Sequence, residues 1–358
     1  MSHAPHLHAP HLRAPHLGAP HLRAPHLRAP HLRAPHLRAP HLRAPHLRAP
    51  HLGAPHLRVP GPAGDIAVAD HGGDGPDVVL CHGANRTLLD WERLRPHLTG
   101  MRLVSYDLRG HGRSAPPADE GYSWAAHLAD LDAVTETLAL DNPRVIGHSL
   151  GGMIALCHGQ RCPDCPGVVD LDGLGGGRPE LYPGLDAEVV AERRAQQLAA
   201  HSAALAPDVI DAGQAGLAVE RARQAAAVYG LDAALEEAGA RSSLQRLEDG
   251  RYRRKPAGSA QAALMAPLED WDTSTAVREA ACPTLLVQGG RTPPLDRLPA
   301  PFRELSEALV AGVRNGLEAL REDGPPGLRI ARVQEAGHML HLQAPAEVGR
   351  LVREFLLP

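Results

Sequence analysis

Between residue 59 and the C-terminus, short runs of consecutive apolar residues alternate with longer stretches whose apolar positions recur every third or fourth residue. The first pattern reads as buried strands and the second as amphipathic helices. Asp77-Val78-Val79-Leu80-Cys81 reads as a strand ending in His82-Gly83, and Thr87 to Leu98 reads as a helix stopped by Gly100. Met101 to Asp107 is a second strand. Ser123 to Leu140 is helical, with Leu128, Leu131, Val134 and Leu138 along one face. Arg144 to Gly147, Gly167 to Asp172, Pro283 to Gln288 and Leu328 to Val333 read as further strands. Helices are expected over Gly152 to His158, Phe302 to Arg321 and Ala346 to Leu356. Strands that are apolar throughout and separated by helices predict a mainly parallel, doubly wound α/β sheet covered on both faces.

Residues 178–280 interrupt this rhythm with about four Ala/Glu/Arg/Leu-rich helical stretches and no convincing strand. An all-helical insertion between strands of a parallel sheet lies over their carboxyl ends, where such folds bind ligands, so it reads as a cap. The sequence therefore divides into core at 59–177, cap at 178–280 and core again at 281–358.

The first 58 residues are of another kind. Residues 6–60 are eleven consecutive five-residue units, mostly His-Leu-Arg-Ala-Pro. A proline at every fifth position forbids a continuous helix and removes sheet donors, and one leucine per unit builds no core. The segment is expected to be disordered and partly polyproline II, read as a short tandem repeat carried in frame. Metal binding by its histidines and polyanion binding by its arginines are the alternatives. Residues 1–60 hold eight arginines, no acidic residue and 13 of the 23 histidines. Removing those eight charges from the net −4 leaves −12 on the remainder, so the two regions have opposite sign; no nucleic-acid partner is expected. With two phenylalanines and five tyrosines, the core must be built from Leu, Val, Ala and Ile. No apolar window is long enough for a membrane span, and the N-terminus lacks the apolar region of a signal peptide. Five sparse cysteines read as free thiols in a reducing cytoplasm. Cys162-Pro163-Asp164-Cys165 lacks the second pair that a zinc ribbon needs, so no metal site is assigned.

Chemistry concentrates at Gly147-His148-Ser149-Leu150-Gly151-Gly152, a G-x-S-x-G sequence between a strand and a helix. A serine on such a turn is held in strained backbone with its hydroxyl exposed, and the glycines leave room for close neighbouring backbone. Together with Leu80-Cys81-His82-Gly83, Asp107-Leu108-Arg109-Gly110-His111-Gly112-Arg113-Ser114 and Ala336-Gly337-His338, the elbow makes residues 59 onward resemble the α/β-hydrolase fold family. The resemblance implies Ser149 as nucleophile and His338 as general base, with His341 the weaker candidate. It implies an oxyanion hole from the backbone N–H groups of Leu150 and Ala84, and structural roles for His82 and His111.

The acid departs from the common family position, where this chain has Thr292 in the turn after Thr284–Gln288. Some relatives carry it one strand earlier, where this chain has Asp172; Asp296 is the main rival. Family members acting on alkyl halides or epoxides use Asp at the elbow, so Ser149 points to acyl transfer. The expected function is a cofactor-free, carboxylesterase-like serine hydrolase that cleaves an ester-like bond in a small, mostly apolar substrate through an acyl-enzyme. The alternative is a hydrolase-fold binding or sensor protein with an impaired triad, suggested by Thr292. Gly173-Leu174-Gly175-Gly176-Gly177 does not complete a dinucleotide fingerprint and is expected to be a hinge into the cap.

Overall fold

The computed structural model describes residues 56–117, 121–292 and 295–357; the disorder expected in the repeat therefore concerns residues almost wholly outside this set. The strands among them are β1 (His56–Gly61), β2 (Gly64–Asp70), β3 (Asp77–Cys81), β4 (Arg102–Tyr106), β5 (Arg144–His148), β6 (Val168–Leu171), β7 (Val209–Ile210), β8 (Leu244–Arg246), β9 (Tyr252–Arg254), β10 (Thr284–Gly289) and β11 (Leu328–Val333). Eight of them form one sheet in the order β1-β2-β4-β3-β5-β6-β10-β11. From β4 to β11 every pairing is parallel, while β1 and β2 add an antiparallel edge.

Successive residues of each central strand enter opposite cores, which is why these strands are apolar throughout. Val79, Cys81, Val104, Tyr106 and Val145 pack on one face with α1 (Trp124–Thr137) and α2 (Leu150–Arg161). Val78, Leu80, Leu103 and Ile146 pack on the other, against Trp91 and Leu94 and a C-terminal helix, Pro345–Leu356, that buries Val348, Val352 and Leu356. Each such aliphatic side chain contributes about 1.5–3 kcal/mol on full burial.

Three features differ from the sequence reading. Thr87 to Leu98 is not one α-helix but two 3₁₀ turns, Leu88–Glu92 and Arg95–His97. Pro96 disfavours helical backbone at Arg95, and the Leu88 N–H is taken by Asp107 Oδ1 at 2.8 Å. Second, β1 begins at His56, so the last repeat unit contributes to the sheet and a boundary at residue 58 falls inside a strand. Pro60 is tolerated there because β1 is an edge strand. Third, the region between β6 and β10 is not all helical. It holds α3 (Ala187–Leu205), α4 (Ala212–Tyr229), α5 (Ala233–Ser242), α6 (Gln261–Met265) and α7 (Thr273–Arg278), but also a small antiparallel sheet of β7, β9 and β8. Those strands are two or three residues long, with arginines in β8 and β9, too short to show an apolar alternation. After β10 come α8 (Ala300–Asp323), then α9 (Leu340–Gln343) and α10, the C-terminal helix named above. No helix among the described residues is long and apolar enough to cross a membrane.

Candidate active site

Ser149 sits between the end of β5 and the start of α2 with φ 54° and ψ −120°, a conformation that side chains other than glycine rarely adopt. The flanking glycines make this turn possible. A Cβ on Gly147 would lie 1.8 Å from the Gly151 carbonyl oxygen, and one on Gly151 would lie 1.9 Å from that of Cys81. The Ser149 N–H donates to Leu171 O (3.0 Å), while its carbonyl accepts from the Gly152 and Met153 N–H groups. Among the described residues Ser149 Oγ makes no hydrogen bond to a side chain, and catalytic contacts of this kind often tighten only when substrate binds.

The loop after β3 passes beside the elbow: a Cβ on Gly83 would lie 3.2 Å from Ser149 Cβ. Two buried histidines pin that loop. His82 donates from Nδ1 to Gly83 O (2.7 Å) and accepts the Leu108 N–H at Nε2 (2.9 Å). His111 accepts the Asn85 N–H at Nε2 (3.0 Å) and donates from Nδ1 to Arg109 O (2.8 Å). Burial holds both rings below the usual imidazole range, so they are neutral and can accept as well as donate. Beside these anchors, the N–H groups of Ala84 and Leu150 have no hydrogen-bond acceptor among the described residues. Leu150 opens α2, where a first-turn N–H has no intrahelical partner.

Asp172 follows β6, also at positive φ (60°). Its Oδ1 accepts the Gly289 N–H (2.8 Å), and its Oδ2 lies 2.8 Å from His338 Nδ1. Asp172 is thus aimed by the carboxyl end of β10 and meets the histidine of the loop after β11. His338 is half exposed. That loop is held by the Arg291 N–H on Ala336 O (2.8 Å) and by the Gly337 N–H on Gln343 Oε1 (2.7 Å). Asp296 lies in a short turn, Leu295–Arg297, is exposed and makes no hydrogen bond or ion pair with the described residues. Thr292 is exposed as well.

His341 does not join this group. It is fully buried, with Nε2 3.7 Å from Asp90 Oδ2 and its ring against Trp91. His148 lies between the two histidines, its ring centroid 4.2 Å from that of His341 and 4.7 Å from that of His338. His148 Nε2 donates to the His338 carbonyl oxygen at 2.9 Å. Burial, with His341 and His338 adjacent, pushes its pKa well below the usual range. Sequence reasoning placed His148 at a variable position of the elbow; no spacing rule connects residues 148, 338 and 341.

Asp90, His148 and His341 are the one group among the described residues whose donor atoms have metal-ligand spacing, within 4.8 Å of one another. The Arg86 guanidinium, however, binds both Asp90 oxygens (2.8–3.1 Å) and continues to Glu236 of α5 (2.7 and 2.8 Å). Burial alone would raise Asp90, but Arg86 and His341 hold it as a carboxylate. The set reads as a buried polar chain in which the cation already present is an arginine. Under the elbow, Asp170 is buried and pushed up to about 8, its Oδ1 accepting the Gly173 N–H (2.7 Å).

Two of the glycines after Asp172 serve close packing: a Cβ on Gly176 would lie 2.4 Å from Trp271 O, and one on Gly177 2.5 Å from Glu269 Cα, whereas one on Gly175 would meet nothing within 4 Å. All five cysteines are free thiols. On the outer side of His338 a cavity of about 590 Å³ opens between its loop and α4, walled by Ala222, Ala226, Val228, Tyr229, Leu231 and Met339 among others.

A doubly wound sheet that presents a serine on a strand–helix elbow, with a carboxylate-bound histidine after its last strand, has the architecture of an α/β hydrolase. Comparison with known proteins agrees. The profile of the alpha/beta hydrolase fold matches residues 76–297, and the chain belongs to that family. A Bacillus subtilis protein provisionally named 2-succinyl-6-hydroxy-2,4-cyclohexadiene-1-carboxylate synthase is 26% identical over 81% of this chain and 94% of its own length. A Mycobacterium tuberculosis esterase is 34% identical over 30% of this chain and 36% of its own. Epoxide hydrolases are among the other partial matches. The crystal structure of E-2-(acetamidomethylene)succinate hydrolase superposes with a TM-score of 0.59 at 24% identity, covering 84% of this chain and 98% of that one, and shows the shared fold.

Proposed function

We propose that this hydrolase cleaves an ester-like bond in a small, mostly apolar substrate through an acyl-enzyme on Ser149. The observation that carries the reading is the 2.8 Å contact between His338 Nδ1 and Asp172 Oδ2, made beside a serine on a strained elbow. In the mechanism, Asp172 fixes the tautomer that leaves His338 Nε2 free to accept the Ser149 hydroxyl proton as Oγ attacks the carbonyl carbon. The developing oxyanion is held by the N–H groups of Ala84 and Leu150, where loss of one such donor typically costs about 3 kcal/mol. His338 returns its proton to the departing alkoxide, and water then releases the acyl group by the same route. A serine at the elbow favours acyl transfer over epoxide opening, for which the family carries Asp there. The Ala, Val, Leu and Met side chains of the cavity beside His338, which Arg86, Glu236 and Arg291 also line, support a mostly apolar substrate, and the region between β6 and β10 acts as its cap. The sensor alternative draws on Thr292; the contact of Asp172 with His338 supports the hydrolase reading over it.

The test is reaction with a fluorophosphonate probe, which labels only activated serines, together with turnover of p-nitrophenyl butyrate. Labelling of the native chain, lost in Ser149→Ala, is the expected result. A native chain that neither labels nor turns over ester would return the reading to a binding protein.

A further inference from the structure

Nucleophile and base come from distant parts of the sheet. Ser149 follows β5 and His338 follows β11, with β6 and β10 between those strands. Their relative position must be held to a fraction of an ångström for proton transfer, since a misplacement of about 1 Å can cost a hundredfold in rate. Asp172 holds the His338 ring. The backbone that carries the ring is held on one side by the Ala336 and Gly337 bonds described above, and at His338 itself by the 2.9 Å bond from His148 Nε2 to its carbonyl.

We propose that His148 is a positioning residue that braces the base against the nucleophile by hydrogen-bonding the backbone of His338. This rests on the assignment of Ser149 and His338 made above. His148 directly precedes Ser149, so one residue ties the elbow to the loop after β11. A displacement of the elbow then carries the base with it.

Packing alone does not account for a histidine here. The residue is 1% exposed, and its Nδ1 has no hydrogen-bond partner. That nitrogen faces Gly83, where a Cβ would lie 3.0 Å away. An apolar ring would fill the same space without burying an orphaned nitrogen, so the one bond His148 makes is what its polarity provides. The face of its ring is backed by His341 at 4.2 Å, behind which Asp90, Arg86 and Glu236 follow in contact. The brace is therefore seated on a buried polar chain that ends on α5.

Two substitutions separate the hydrogen bond from the volume. His148→Phe fills the space without a donor, and His148→Gln places an amide N–H at similar reach. With p-nitrophenyl butyrate, His148→Phe should lower kcat by roughly a hundredfold with KM within about threefold, as for an interaction that positions rather than binds. His148→Gln should recover most of that loss, to within about fivefold of the native chain. Thermal midpoints of both variants show that the fold is intact. If the Phe variant does not fold, His148→Asn, whose amide is too short to reach the carbonyl, takes its place with the same expectation. Native-like kcat in the donorless variant overturns the proposal, and so does equal slowing in Phe and Gln. The native chain is run first with the fluorophosphonate. If it does not label, the serine-hydrolase reading falls and the brace with it; if it labels and His148→Phe turns over normally, only the brace falls.

Discussion

The sheet and the region inserted between β6 and β10 are held together in different ways. Every residue of β6 and four of the five in β3 and β5 are buried, with side chains feeding two continuous cores. The nineteen-residue helix α3 buries only Val190, and α4 buries Ala215, Val219 and Ala226 while Leu217, Val228 and Tyr229 stay more than half exposed. Several polar contacts tie the insertion to the loops at the carboxyl ends of the strands: Glu236 on Arg86, Gln261 on Asn85, and Gln343 Nε2 on Tyr229 O. Hydrophobic burial makes the sheet a rigid mount, and Leu235, Ala238, Leu264, Trp271 and Val277 anchor the insertion to it, whereas the sparsely buried α3 and α4 open at lower cost. Under the proposed function, the reacting groups stand on the densely buried sheet, and α4 of the insertion walls the cavity beside His338.

Substitutions in the two regions should then differ in kind. The largest effects belong to the sheet. Ser149→Ala and His338→Ala should each lower turnover of p-nitrophenyl butyrate by roughly 10⁴–10⁶-fold while leaving the thermal midpoint near native, because residues of a triad act as a unit. Retained turnover in either would detach the chemistry from the elbow. Next comes the acid. Asp172→Asn preserves shape but favours the wrong tautomer of His338, a change worth about 10⁴ in a well-studied triad, while Asp296→Asn should cost less than about tenfold. Steady-state kinetics of the pair decide it, and the reverse ranking would move the acid to the loop after β10.

Acid tests the sheet's packing. His127 of α1 is buried and pushed down to about 3, first by burial and then by Arg109. Its folded-state pKa lies below the unfolded value near 6.5, so the unfolded chain takes up a proton that the folded chain refuses. The penalty is small above pH 7 and grows as pH falls, reaching about 2 kcal/mol at pH 5. Urea unfolding at pH 7 and pH 5 should show His127→Leu losing less stability than the native chain by about that amount; equal losses would mean that the ring is already charged in the fold. The smallest effect belongs to the insertion. Glu236→Gln weakens a half-buried pair with Arg86, for which about 1 kcal/mol or less of stability is at stake. Limited proteolysis should nevertheless cut α4 and α5 faster in that variant. Unchanged cutting would mean that the insertion is secured by something other than this contact.

Much of this was legible in the order of residues. Strands with runs of consecutive apolar residues are buried on both faces, so β3 to β6 and β10 and the parallel sheet follow from composition within short windows, while β11, an edge strand with Arg329 and Arg332, is mostly unburied. The elbow was equally plain, because Gly147 and Gly151 are demanded by backbone contacts under 2 Å that any Cβ would violate. The hairpin of β1 and β2, the 3₁₀ turns around Trp91 and the short strands β7 to β9 were not. Their form depends on edges, on Pro96 and on neighbours distant in sequence, none of which leaves a local periodicity. At the site, Ser149, His338 and Asp172 could be nominated from sequence, yet the choice between Asp172 and Asp296 is a matter of which carboxylate lies 2.8 Å from an imidazole. The same holds for His148 and His341, whose partners lie 190 residues away in one case and on a 3₁₀ turn in the other. Backbone demands are local and are written in residue type; the meeting of side chains across a sheet depends on strand order and register, which only the folded chain supplies.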